Sequence, residues 1–251
     1  MHLLLTNDDG IRAPGILALA EGMLSAGHRI SVCAPDRERS AASHAATIGR
    51  PLRAVPTDFP GAERAWAVDG TPCDCASLGL WLTRDDPVDM VVAGINNGMN
   101  MGGACVYSGT VGAALEAAMC GVQAIAVSLC VLNFDLPSDF SVAARLAARV
   151  TDWAREHPLP LGTIYNLNVP ALPYAALRGI VPAKLAPSLM GTPVYAPLPG
   201  DSYRFRHNAG DQAFAPDSDV SLSEAGYATI TKLTWDFRLN ADDAELAEIE
   251  L

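Results

Sequence analysis

The chain has 251 residues, half of them hydrophobic, with 17 Lys and Arg against 28 Asp and Glu. A formal net charge of −11 excludes a surface built to coat nucleic acid or to sit on anionic lipid, because both need basic patches. The length suits one large domain or a core with a smaller appendage, and no window approaches the roughly 18 consecutive apolar residues of a membrane helix.

The first element, His2–Thr6, reads as a buried strand that stops at Asn7-Asp8-Asp9-Gly10. Its apolar run is too short for a secretory leader. The six cysteines lack paired zinc spacing, so they read as core thiols of a reduced, cytoplasmic protein. Adjacent strand residues point to opposite faces, so Asp8 and Asp9 converge on one ligand only if the backbone turns there, which Gly10 permits. Such an oxygen-rich pair suits a hard divalent cation, Mg²⁺ or Mn²⁺; a plain polar turn is the alternative.

Pro14–Ala26 follows as a helix with Gly27 as its stop, then a strand at Arg29–Ala34 and a polar loop at Arg37–Ala46. Ala65–Val68 is a further strand. Thr71 caps a helix that Pro72 opens and that runs to about Leu82. Val88–Ala93 is apolar throughout, as a buried parallel strand should be, and leads into a glycine-rich loop, Gly94–Gly103. A helix at Thr110–Cys120, a strand at Gln123–Leu129, a helix at Ser141–Glu156 and a strand at Thr163–Val169 complete the alternation. This order predicts an α/β fold with a mostly parallel sheet.

Beyond about residue 170, Pro, Gly, Tyr and charged residues dominate, and Tyr203–Arg206 and Tyr227–Leu233 read as hairpins or extended arms. Residues 1–170 are therefore expected to form the catalytic core. Residues 171–251 are expected as a C-terminal extension packed on it as one structural unit, serving function or subunit contact. Ala241–Leu251 reads as a frayed terminus or a short helix.

Loops that follow parallel strands share one sheet edge. That edge collects Asp8, Asp9, Ser40, Asn96 and Ser108-Gly109-Thr110 into one crevice. Ser108–Thr110 starts a helix, where free N–H groups, hydroxyls and the dipole favour a phosphate; an ordinary N-cap is the competing reading. Gly94 and Gly98 let the Asn96 backbone fold tightly, so that its amide oxygen can face a cation. Metal and anion sites side by side make a phosphoryl-transfer site. Arg37 and Arg39 belong to a mixed-sign, solvated run, and His44 is a lone loop histidine. The glycine fingerprints of dinucleotide binding, nucleophile elbows and P-loops are missing.

The chain carries several ordered blocks: Leu5-Thr6-Asn7-Asp8-Asp9-Gly10-Ile11, Ala34-Pro35-Asp36-Arg37 ending in Ser40, Val68-Asp69-Gly70-Thr71-Pro72-Cys73-Asp74-Cys75, Gly94-Ile95-Asn96-Asn97-Gly98 and Tyr107-Ser108-Gly109-Thr110-Val111. Together they resemble the SurE stationary-phase survival proteins, a family of metal-dependent nucleoside monophosphate phosphatases. Asn166-Leu167-Asn168-Val169-Pro170 and Gly226-Tyr227 add weaker matches. The resemblance implies a Rossmann-like three-layer α/β/α core with a C-terminal region exchanged between subunits of a homodimer or homotetramer. It implies that Asp8, Asp9, Ser40 and Asn96 hold one divalent ion per subunit, and that Ser108, Gly109 and Thr110, beside Asn96, line the phosphate pocket. Departures from the family pattern fall at Ala41 (usually Gly), His44 (usually Asn), Gly103 and Ala104 (usually acidic), and Lys232 (often Pro).

The expected function is hydrolysis of nucleoside 5′- or 3′-monophosphates or other small phosphomonoesters, with Asp8 and Asp9 as catalytic carboxylates. Attack by water and attack by an aspartate both remain open at this point. A non-catalytic nucleotide-binding module that retains the pocket is the alternative.

Overall fold

A computed structural model describes residues 1–131, 137–187, 194–206 and 213–236. Eleven strands are present among these residues: β1 (His2–Thr6), β2 (Arg29–Pro35), β3 (Ala54–Pro56), β4 (Arg64–Val68), β5 (Met90–Asn97), β6 (Gln123–Cys130), β7 (Thr163–Pro170), β8 (Ile180–Pro182), β9 (Val194–Leu198), β10 (Ser202–Arg206) and β11 (Ala228–Thr234). The α-helices are α1 (Pro14–Ser25), α2 (Pro72–Leu82), α3 (Gly109–Met119), α4 (Ser141–Glu156) and α5 (Asp219–Glu224), with 3₁₀ turns at Gly102–Val106 and Tyr174–Ala176. No described helix is long and apolar enough to cross a membrane.

Nine strands form one sheet in the order β3-β4-β2-β1-β5-β6-β7-β11-β8. From β4 to β7 all neighbours are parallel. β3 and β11 are antiparallel additions on either side. β1 alternates its fully buried leucines between two cores, as a strand's period of two requires. Leu3 and Leu5 pack with Ile16, Leu19 and Met23 of α1 and with the inner face of α4. Leu4 packs with Cys33, Val91 and the alanines of α3 on the other side. Each such leucine is worth about 2 kcal/mol of burial, and the result is three layers, helices–sheet–helices.

β2 lies on one side of β1 and β5 on the other, although the chain visits β4 and α2 between them. This reversal is a topological switch point: the loops after β1 and β5 diverge there and leave a crevice at the carboxyl edge.

The fold matches the expected class, with differences at particular elements. The strand expected at Val88–Ala93 begins at Met90 and runs on through Asn97, with an irregular register opposite β6 between Ala93 and Asn96. The expected loop therefore starts at Gly98, and 102–106 is a 3₁₀ turn. The Tyr203–Arg206 piece is indeed half of a hairpin, β9–β10. The Tyr227–Leu233 piece is not a free arm: β11 pairs with β7 in the main sheet. α5, β3 and β8 are additional. The Ala241–Leu251 reading lies outside the described residues. All six cysteines are free thiols, four of them buried.

Candidate active site

β1 carries Asp8 and Asp9 to the carboxyl edge, and Asn7 closes the turn by donating from Nδ2 to the Gly10 carbonyl at 2.9 Å. Gly10 sits at φ 103°, a conformation that L side chains rarely adopt. The loop after β2 packs directly on this turn, with the Arg39 N–H donating to the Asp8 carbonyl at 2.7 Å. From β5, the Asn97 N–H donates to Asp9 Oδ2 at 3.2 Å. From α3, the Thr110 hydroxyl and main-chain N–H both serve the Asp8 carboxylate. Four separate turns thus meet at the crevice.

The electrostatics of the pair are unfavourable as they stand. Burial raises the Asp8 pKa above the usual carboxylate value, opposed mainly by the Thr110 hydrogen bond. Burial, then the neighbouring Asp8 charge, lifts Asp9 from the usual 3.8 to about 6. Glu38 pushes both in the same direction. No Lys, Arg or His forms an ion pair with Asp8 or Asp9 among the described residues. Two adjacent, largely buried carboxylates lacking a cation constitute a site that a hard divalent ion would neutralise, so the residues present fit such an ion. Asn7 Oδ1, buried and without a hydrogen-bond partner, is a further oxygen acceptor beside them.

The remaining expected residues sit on the same edge with different employments. Asn96 donates from Nδ2 to the Gly98 carbonyl at 2.7 Å, which leaves its Oδ1 as the free acceptor. Ser40 is exposed and donates to Glu38 Oε1 at 2.6 Å. The Ser108 hydroxyl is the N-cap of α3, accepting from the Val111 N–H at 3.0 Å. With Thr110 committed to Asp8, Gly109 N–H is the remaining donor of the first turn. His44 turns away to α3, with Nε2 2.8 Å from Glu116 Oε2.

Thr110 therefore positions Asp8. Thr110→Val keeps the shape and removes the donor. It is expected to weaken divalent-metal affinity about tenfold, as loss of a supporting contact to a ligand does. Calorimetric titration with Mn²⁺ reads this directly, and wild-type affinity would show the contact to be idle. Ala41 occupies left-handed backbone at φ 56° where the family usually has glycine. Ala41→Gly is expected to stabilise by about 0.5–1 kcal/mol, the relieved strain minus the added unfolded-state entropy. Chemical denaturation measures it, and a loss of stability would contradict it.

Two features escaped the sequence reading. Glu38 is exposed, as its mixed-sign run leads one to expect, but its charge also reaches both aspartates. A buried amide network also fixes the segment after β5: the Asn100 N–H donates to Asn168 Oδ1, Asn100 Nδ2 donates to Ser128 Oγ, and Asn166 and Asn168 donate to the Asn100 carbonyl. Its signal was present in Asn166 and Asn168, two amides at alternate positions of an apolar strand. A separate His2–Glu63–Asp86 cluster lies at the opposite, amino-terminal edge of the sheet, and Arg29 already pairs with both of its acids.

Residues 3–191 match the family model described as "Survival protein SurE". Among curated relatives, the "5'-nucleotidase SurE" of Carboxydothermus hydrogenoformans is 44% identical over 187 residues, covering 74% of this chain and 70% of that one. The protein of the same name from Geobacter metallireducens is 40% identical over 254 residues, covering 94% and 98%. The SurE crystal structure from Aquifex aeolicus superposes with a TM-score of 0.82 at 29% identity, covering 95% of each chain. A match of this extent in sequence and in fold makes the chain a member of the SurE family.

Proposed function

We propose that this chain is a phosphomonoesterase that hydrolyses nucleoside 5′-monophosphates, with 3′-monophosphates as further substrates. The observation that carries the reading is the uncompensated carboxylate pair at the switch point, abutting the N-terminus of α3, in a chain whose full-length relatives are named 5′-nucleotidases.

One Mg²⁺ or Mn²⁺ per subunit would be held by Asp8, Asp9, Ser40 and Asn96. When bound, it would neutralise the carboxylates and polarise a phosphoryl oxygen. The Gly109 N–H and the positive end of α3 orient the phosphate oxygens. Asp8, immobilised by Thr110 and the Arg39 N–H, and Asp9, held by the Asn97 N–H, fix the geometry around phosphorus. In the overall reaction the water oxygen bonds to phosphorus, the ester P–O bond breaks, and the nucleoside oxygen leaves with a proton.

We further propose a homodimer or homotetramer assembled through the C-terminal region. The β9–β10 hairpin carries Tyr195 and Tyr203, 59% and 68% exposed. A cytoplasmic location accords with the six free thiols.

Phosphate release from a nucleotide panel, with Mg²⁺ or Mn²⁺ and with EDTA, tests the reading. Metal-dependent release from nucleoside monophosphates is expected. Absence of release from every one of them, or release insensitive to EDTA, would overturn it.

A further inference from the structure

The carboxylate site accounts for a phosphate and says nothing about the rest of a nucleotide. A second concavity of about 670 Å³ opens on the same carboxyl edge, beyond the ends of β6 and β7. Its walls include Met99, Met101, Val131, Leu172 and Val220. Met101, Cys130, Ala186 and Val220 form a small hydrophobic cluster of their own, separate from the two main cores, which gives the cavity a packed floor. One residue joins the two sites. The Asn97 N–H reaches Asp9 Oδ2, and Asn97 Oδ1 accepts from the Ser138 hydroxyl at 2.7 Å. Ser138 lines the cavity.

We propose that this cavity receives the nucleobase of the substrate while its phosphate sits at Asp8 and Asp9. The inference rests on the phosphomonoesterase reading and extends it to the recognition of the nucleoside.

The chemistry of the walls selects the occupant. The volume falls within the usual range of small-molecule pockets and far exceeds the needs of a phosphate. The described lining contains no Lys or Arg, and Asp139 and Glu224 carry carboxylates at it. A di- or triphosphate tail is therefore excluded, since its charge would meet like charge in an apolar cleft. A flat base with apolar faces and polar edges fits: methionines adapt to rings of different size, and Ser138, Ser223 and the carboxylates offer edge partners. Flexible Met walls without a rigid hydrogen-bonding template predict tolerance among bases.

The test uses the exposed rim, where Leu172 is 37% exposed and substitution spares the core. Leu172→Arg and Ala171→Trp place bulk at the mouth. Both are expected to raise KM for AMP and UMP about tenfold or more, in line with pocket discrimination energies. Free adenosine and uridine should inhibit the wild type competitively and lose that inhibition in both variants. Inorganic phosphate requires only the carboxylate end, so it should inhibit the wild type and the variants alike. Unchanged KM values, nucleosides that never compete, or a parallel loss of phosphate inhibition would overturn the cavity assignment while leaving the phosphatase reading intact. A wild-type protein that releases no phosphate from any nucleoside monophosphate would instead remove the reading itself.

Discussion

Asp9→Asn is expected to lower turnover at least about a hundredfold and, in the metal-free protein, to raise thermal stability. The rate effect follows from losing a charge that the proposed mechanism places at the reacting phosphate, a kind of contact worth about two to three decades. The stability effect follows from linkage. Asp9 titrates near 6 when folded and near 3.8 when unfolded, so between these values the folded chain holds the extra proton. Stability from this group is therefore highest below about pH 4, falls as pH rises through the window, and is lowest above about 6. A shift of this size, discounted for the partial exposure of Asp9, corresponds to about 1–2 kcal/mol at neutral pH. Asparagine cannot ionise, so the variant avoids that penalty and should melt roughly 3–6 °C higher in EDTA at pH 7.5, with little difference at pH 4. Divalent metal should stabilise the wild type strongly and the variant weakly. Calorimetry at both pH values, with and without Mn²⁺, checks all of these. A variant that melts below the wild type in EDTA, or turns over within tenfold of it, would show that Asp9 is neither strained by its charge nor needed for the reaction.

The reason Asp9 could be singled out from sequence is physical. Two adjacent carboxylates that end an apolar strand can be a plain polar turn, but loops after parallel strands share one edge, and that edge collects them with Ser40, Asn96 and Ser108–Thr110. Helix α2 was legible for a similar reason: Thr71 and Asp74 form a reciprocal capping box, with Pro72 at the first position. α4 matches its expected bounds because its apolar residues repeat at helical spacing over four turns. What stayed hidden depends on distant partners. Nothing local shows that the Thr110 hydroxyl will face Asp8, 102 residues earlier in the chain. Gly94 looked like the start of a loop, whereas pairing with β6 carries the strand on to Asn97 across an irregularity. β3 and β8 have three residues each, too few for a periodic signal. The place of β11 is set by β7, its antiparallel partner, and not by its own composition.

Gly109→Ala is the converse case, a substitution that local propensity favours and the site forbids. Alanine is the better helix former by about 1 kcal/mol in a helix interior, and Gly109 is the first residue of α3. Yet a Cβ at Gly109 would stand 2.9 Å from the Asp8 Cβ and 2.9 Å from Pro72 Cγ, closer than real contacts allow. Neither neighbour can simply swing aside. Pro72 is a ring at the start of α2, and Asp8 is clamped by Thr110 and by the Arg39 N–H. The added methyl must therefore move the helix start relative to the carboxylate, the two parts proposed to hold the phosphate and the ion. A displacement of about 1 Å at such a site costs on the order of a hundredfold in rate. The expected result is a variant that folds and keeps its sheet but loses about two decades in kcat, with weaker Mn²⁺ binding. Gly109→Ala with wild-type turnover would mean that the α3 terminus and Asp8 do not act on a common ligand, and the phosphate site would have to be sought elsewhere on the sheet edge.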